Sequence, residues 1–175
     1  MEQQRGLLHL YCGDGKGKTT TSVGLMVRAA GSGKKVLFYQ FMKNNESSER
    51  NILEGIPNIT CKKGADTAKF SFQMTKDEQI EEKRRNEEQL KLLFEEAKDY
   101  DVLCMDETLY TIQAGLLSEE LVLEQLKNRP KHLEVILTGR DPSDKMIELA
   151  DYVSEVKKVK HPFEQGIPAR LGIEY

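Results

Sequence analysis

The sequence predicts an α/β domain, a mostly parallel, twisted sheet with helices on both faces. Short apolar runs alternate with helix-length amphipathic stretches along the whole chain. The runs are apolar at consecutive positions, as strands covered on both faces are. A loop rich in Gly and Lys then joins the first run directly to the first amphipathic stretch.

In chain order, strands are expected at residues 7–12, 36–41, 58–61, 102–105, 133–138 and 153–159, and helices at 19–30, 77–97, 118–127 and 143–150. Gly31-Ser32-Gly33 stops the first helix, because glycine accepts the left-handed backbone that ends helices. Ser118 and Ser143, each followed by carboxylates in the first turn, are expected to be N-caps. In the 77–97 helix, Leu90, Leu93, Phe94 and Ala97 recur at i, i+3, i+4 and i+7 and point to the core, whereas residues 77–88 are almost wholly charged and project into water. Residues 42–76 show no strong period apart from the short strand, so a long loop is expected there, and loops of that length are often functional.

Composition narrows the class. The 175 residues fit one domain, 1–175, able to bury a core without disulfides. With 38% hydrophobic and 31% charged residues the chain is neither disordered nor fibrous, and a net charge of −3 argues against general nucleic-acid binding. The charge is uneven: residues 1–43 hold seven basic and two acidic side chains, while residues 100–175 hold nine and fourteen. An anionic ligand is therefore expected near the N-terminus. Cys12, Cys61 and Cys104 contain no C-x-x-C pair and read as free thiols. The apolar runs are too short to span a membrane and the first residues lack a signal-peptide layout, so a cytoplasmic protein is expected.

Directly after the first strand comes Gly13-Asp14-Gly15-Lys16-Gly17-Lys18-Thr19-Thr20, opening into a helix. Glycines let backbone N–H groups turn inward as an anion nest, the helix N-terminus adds its dipole, Lys18 neutralises phosphate charge and the Thr19 hydroxyl can ligate Mg²⁺. This is a Walker A loop shortened by one residue, since Cys12 stands where the first Gly is usual. Residues 101–107, Asp-Val-Leu-Cys-Met-Asp-Glu, supply a Walker B pattern on what should be a neighbouring strand, with Asp106 and Glu107 as metal carboxylates at the same sheet edge. The chain thus reads as a P-loop protein of RecA-like architecture that binds a nucleotide with Mg²⁺. Kinase, ATPase, switch and transferase all remain open, and position along the chain does not rank Arg28, Arg50, Arg129 and Arg140 as phosphate contacts.

The chain resembles the P-loop corrinoid adenosyltransferases nearly end to end. The resemblance rests on the short loop, Gln40-Phe41-Met42-Lys43, Glu49-Arg50-Asn51, Phe70-Ser71-Phe72, Asp106-Glu107, Asn128-Arg129-Pro130, Thr138-Gly139-Arg140 and Ala150-Asp151. It extends through Val159-Lys160-His161-Pro162-Phe163, Gly166-Ile167 and Leu171-Gly172-Ile173-Glu174-Tyr175. The family tends to have Asp-Glu-Leu-Thr-Tyr where this chain has Asp106-Glu107-Thr108-Leu109-Tyr110, which leaves the carboxylates and changes what Thr108 contacts. Some members carry an Arg/Gln-rich N-terminal cover over the corrinoid; with so few residues ahead of Leu7, that cover is expected to come from elsewhere or to be absent.

The resemblance implies transfer of the 5′-deoxyadenosyl group of ATP to the cobalt of cob(I)alamin or of cob(I)yrinic acid a,c-diamide, with release of triphosphate. Such a cobalt nucleophile requires no general base, so catalysis falls to Lys16, Lys18 and Glu107 around the leaving triphosphate, with a metal on Thr19, Asp106 and Glu107. The resemblance also implies ATP bound in the reverse sense to other P-loop proteins, with the shorter loop as the reason. It implies Arg140 and His161 at the nucleotide, Phe70 and Phe72 against the corrin, a homodimer, and an electron donor such as a flavoprotein reductase. The alternative for Arg140, less favoured, is a surface Arg in a turn; His161 is as often a structural hydrogen-bonder, and the Phe pair equally a small loop core. A small kinase or ATPase, and a non-catalytic carrier docking through the charged helix, are the competing readings.

Overall fold

Six of the apolar runs pair as one parallel sheet. In the computed structural model, which describes residues 5–64 and 71–174, the strands are β1 (Leu8–Cys12), β2 (Val36–Gln40), β3 (Ile59–Cys61), β4 (Val102–Asp106), β5 (Glu134–Thr138) and β6 (Tyr152–Glu155). They lie in the order β3-β2-β4-β5-β1-β6 and every pairing is parallel. The helices are α1 (Lys18–Gly31), α2 (Arg50–Leu53), α3 (Lys76–Glu96), α4 (Thr108–Gln113), α5 (Glu119–Asn128) and α6 (Asp144–Leu149). Phe70 lies outside the described residues, as does the side chain of Phe72, whose backbone belongs to the 3-10 turn Ser71–Gln73.

The consecutive apolar positions serve two cores. Successive side chains of a strand point to opposite faces, so Leu103 and Met105 of β4 meet Leu90, Leu93 and Phe94 of α3 and Val122 and Leu126 of α5. Val102 and Cys104 of the same strand meet Met26, Ala29 and Ala30 of α1 on the other side. Cys104 is completely buried and burial pushes its thiol far up, which makes it inert core filling. The expected caps form: Ser118 accepts from the Leu121 N–H and Ser143 from the Met146 N–H. Gly33 (φ 87°) follows α1 in the left-handed region. Residues 77–88 do face water, with the exception of Asn86, which is buried and donates to the Leu116 carbonyl.

Differences from the sequence pattern have local causes. The last strand stops at Glu155, because the Val156 N–H donates to the Cys12 carbonyl while the Val156 carbonyl accepts from Gly15 N–H at 2.7 Å, bending the chain over the phosphate loop. Within 42–76 the short helix α2 forms, and α4 follows β4; at four and six residues both are too short to show a helical period. The acid-bearing strand β4 is not beside β1, since β5 lies between them, the RecA-like order. Because all strands run the same way, the carboxyl ends of β1, β2, β4 and β5 share one edge, where open α/β sheets bind ligands.

The phosphate loop constrains Gly13 tightly. A Cβ on Gly13 (φ 109°) would lie 2.5 Å from the Val156 carbonyl oxygen, whereas one on Gly24 in α1 would meet nothing within 4 Å. Gly13→Ala is expected to lower the urea midpoint, by about 1–3 kcal/mol of backbone strain plus the displaced contact. Gly24→Ala is expected to raise it, by roughly 0.5–1 kcal/mol of helix propensity.

Candidate active site

The phosphate loop is built to receive an anion. Gly17 (φ 121°) is the N-cap of α1, no side chain caps it and the first turn holds no acid, so the helix N-terminus keeps its partial positive charge for a ligand. Lys18 Nζ folds back 2.8 Å from the Gly15 carbonyl oxygen. Burial, and then the charge of Arg140, push the Lys18 ammonium down, so two cations crowd here. Arg140 follows Gly139 (φ 144°) at the end of β5, is exposed, and makes no hydrogen bond or ion pair among the described residues. A polyanion between Lys18 and Arg140 would relieve their repulsion. Lys16 and Thr20 are exposed on the loop and the first helical turn.

Opposite the loop sits Asp106, with no solvent exposure. Its Oδ1 accepts from Thr19 Oγ1 at 2.8 Å and Thr138 Oγ1 at 2.6 Å; its Oδ2 accepts from Lys43 Nζ at 2.8 Å and Gln40 Nε2 at 3.2 Å. Burial alone would push this carboxyl up, but the Lys43 charge and the hydrogen bonds from Lys43, Thr138 and Thr19 outweigh it and hold Asp106 below its ordinary value. Lys43 is correspondingly held above its own value despite burial. Met42 (φ 58°), a left-handed non-glycine, turns the chain after β2 so that Lys43 reaches back. Gln40 and Lys43 are also tied to Glu49, at 2.8 and 3.7 Å.

Glu107 has the opposite character. Its left-handed backbone (φ 60°) turns it out of β4, and its N–H donates to Thr138 Oγ1 at 2.9 Å. Its carboxylate accepts no hydrogen bond among the described residues. Burial and then the Asp106 charge push it up, against the pull of Lys43, Lys18 and Arg140. The donor chemistry fits a hard cation. Glu107 has its acceptor positions open, and Thr19, whose proton goes to Asp106, keeps oxygen lone pairs for a ligand. Asp106 has both oxygens engaged twice over, which suits it to orienting Thr19 from behind.

The remaining sequence-derived residues separate. The exposed Asp14 carboxylate accepts from the Lys158 N–H at 2.9 Å. Half-buried His161 accepts from the Phe163 N–H at 3.2 Å through Nδ1, capping the 3-10 turn Pro162–Gln165. Of the four arginines only Arg140 stands at the loop. Buried Arg50 is fastened to the Lys62 carbonyl and Glu54, Arg129 to the Leu126 carbonyl and Asp151, and Arg28 lies exposed in the last turn of α1. Thr108 is buried and donates to the Met105 carbonyl at 2.8 Å, so the local Thr/Leu exchange leaves it a backbone contact. Sequence reasoning gave no role to Lys43, Gln40, Glu49 or Thr138. The available signal was polar residues closing otherwise apolar strands, Gln40 ending β2 and Thr138 ending β5.

Two outcomes follow from these charges. Lys43→Met leaves a buried carboxylate without its cation and is expected to destabilise by about 3 kcal/mol, the low end for a broken buried pair because Lys43 keeps some solvent; adding Asp106→Asn recovers much of it in a chemical-denaturation cycle. Glu107 is pushed up in the fold, so its charge opposes folding above its folded value and has no effect below the unfolded one. Glu107→Gln is therefore expected to stabilise the ligand-free protein at neutral pH, with the gain vanishing as pH falls through the Glu107 titration.

The family model for ATP:corrinoid adenosyltransferase BtuR/CobO/CobP matches residues 4–175. A corrinoid adenosyltransferase of Escherichia coli strain K12 is 36% identical over 180 residues, covering 99% of this chain and 88% of that protein. The corrinoid adenosyltransferase CobA of Salmonella typhimurium LT2 is 33% identical over 192 residues, with 99% and 88% covered. A Pseudomonas aeruginosa corrinoid adenosyltransferase is 33% identical over 179 residues, with 98% and 85% covered. The chain belongs to the ATP:corrinoid adenosyltransferase family.

Proposed function

We propose that this protein transfers the 5′-deoxyadenosyl group of ATP to the cobalt of a reduced corrinoid and releases triphosphate. Family membership supports the reaction, and the observation that carries it to these residues is the set Lys18, Arg140 and Glu107, none of them ion-paired among the described residues, around an uncapped helix N-terminus. Cob(I)alamin or a cob(I)yrinic acid precursor supplies the electron pair. The cobalt–C5′ bond forms, the C5′–O bond breaks, and the electrons leave on the triphosphate. No proton has to be removed from the nucleophile, so the protein's part is to stabilise the leaving oxygens.

Lys18 and Arg140 neutralise that charge, and the loop and α1 amides donate to it. Lys16 adds long-range attraction from the rim. Thr19 and Glu107 would hold Mg²⁺ or Mn²⁺, which when bound neutralises further phosphate charge. Asp106, kept ionised by Lys43, orients the Thr19 hydroxyl for that role. By resemblance alone, His161 is read as bordering the nucleotide and Phe70 and Phe72 as the aromatic contact to the corrin. A reduced corrinoid calls for an electron donor, such as a flavoprotein reductase. A cytoplasmic homodimer fits three free cysteines and the exposed Val159, Phe163 and Leu171 beyond β6. None of the described helices is long and apolar enough to cross a membrane.

Incubation with ATP, Mg²⁺ and chemically reduced cobalamin is expected to yield adenosylcobalamin and triphosphate together, followed by absorbance and by nucleotide chromatography. ADP as the product would point to a kinase or ATPase instead, and binding of both ligands without transfer to a carrier. Lys18→Ala and Glu107→Ala are each expected to lose at least about tenfold in rate, 1.4 kcal/mol in the barrier.

A further inference from the structure

The segment leaving β6 is fastened to the phosphate loop at three points. Gly15 N–H donates to the Val156 carbonyl at 2.7 Å, Val156 N–H donates to the Cys12 carbonyl at 2.8 Å, and the Lys158 N–H donates to Asp14 Oδ1 at 2.9 Å. The approach is close enough to exclude side chains: a Cβ on Gly15 would lie 2.7 Å from the Val156 carbonyl oxygen and 2.8 Å from the Lys157 carbonyl carbon. The Lys158 amide, followed by Asp14's own amide and then the Lys158 and Arg140 charges, holds the Asp14 carboxyl below its ordinary value. Two of the three ties are backbone to backbone; Asp14 supplies the side-chain one.

An acidic side chain inside a triphosphate loop is unfavourable if it faces the phosphates, because like charges repel. The Asp14 carboxylate is instead engaged by the Lys158 N–H. We propose that Asp14 is a positioning residue for ATP: by holding the Lys158 N–H it pins the 156–158 segment against the loop, and that segment fixes the loop conformation that presents its amides to the triphosphate. The proposal rests on the loop being the ATP site. It makes Asp14 a contributor to nucleotide affinity without contact to the nucleotide, and it explains why a one-residue-shorter loop carries a carboxylate among its glycines and lysines.

Two variants separate the possibilities. Asp14→Asn keeps an acceptor oxygen and removes the charge, whereas Asp14→Ala removes both. Direct calorimetric titration with Mg-ATP, without corrinoid, is expected to show Asp14→Ala binding about fivefold more weakly and Asp14→Asn within about twofold of the wild type, the size of one hydrogen bond. In the ligand-free protein, hydrogen exchange at the Lys158 amide is expected to quicken by a similar factor in Asp14→Ala and little in Asp14→Asn. The proposal is overturned if Asp14→Ala binds ATP as tightly as the wild type or more tightly, which is what simple removal of a negative charge predicts. It is also overturned if Asp14→Asn falls as far as Asp14→Ala, the result for a charge contact, or if Lys158 exchange does not change in Asp14→Ala. A wild type that binds no ATP would defeat the proposed function, while the exchange comparison would still decide the clamp.

Discussion

The carboxylate of Asp106 has no access to water and must remain ionised, and the surrounding sheet edge is arranged to make that tolerable. An unpaired buried charge costs several kcal/mol. Four donors offset it: Thr19 from the first turn of α1, Thr138 from the end of β5, and Gln40 and Lys43 from the end of β2 and the residues after it. These come from sequence positions far apart, so satisfying one carboxylate fixes how α1, β2, β4 and β5 meet. The phosphate loop, held between β1 and α1, is placed by the same bonds.

Around this neutralised centre the site keeps other charges unsatisfied. Burial and the charge of Arg140 push the Lys18 ammonium down, and Glu107 lies half-buried beside a second carboxylate without a hydrogen-bond donor among the described residues. Four strand ends carry a positive φ directly or shortly after the strand, at Gly13, Met42, Glu107 and Gly139, and two of these are not glycine. Strained backbone and unpaired charge at one edge are features that packing alone would remove. They persist where a ligand completes the electrostatics, and here the ligand needed is a polyanion with a cation.

Much of this was readable in the sequence because it depends on local chemistry. Strands with consecutive apolar residues, helices with serine caps and a glycine-lysine loop each state their structure within a few residues. Asp106 and Glu107 were recognisable as a pair after an apolar strand, but their division of labour was not. It arises from Thr138 and Lys43, which reach Asp106 from elements 32 and 63 residues away. The insertion of β5 between β1 and β4 is likewise a long-range fact, and it is what brings Thr138 to the site. Asp14 sits inside a recognisable motif, yet its partner Lys158 lies 144 residues distant, so that bond had no local signal.

The division between the two adjacent carboxylates is open to direct observation by carbon-13 NMR titration of the Asp106 and Glu107 carboxyl groups in the ligand-free protein. Asp106 should remain ionised below the usual carboxylate range and Glu107 should take up its proton above it. Asp106 titrating above Glu107 would contradict the buried ion pair at the centre of the site and the assignment of Glu107 as the carboxylate left open for a cation.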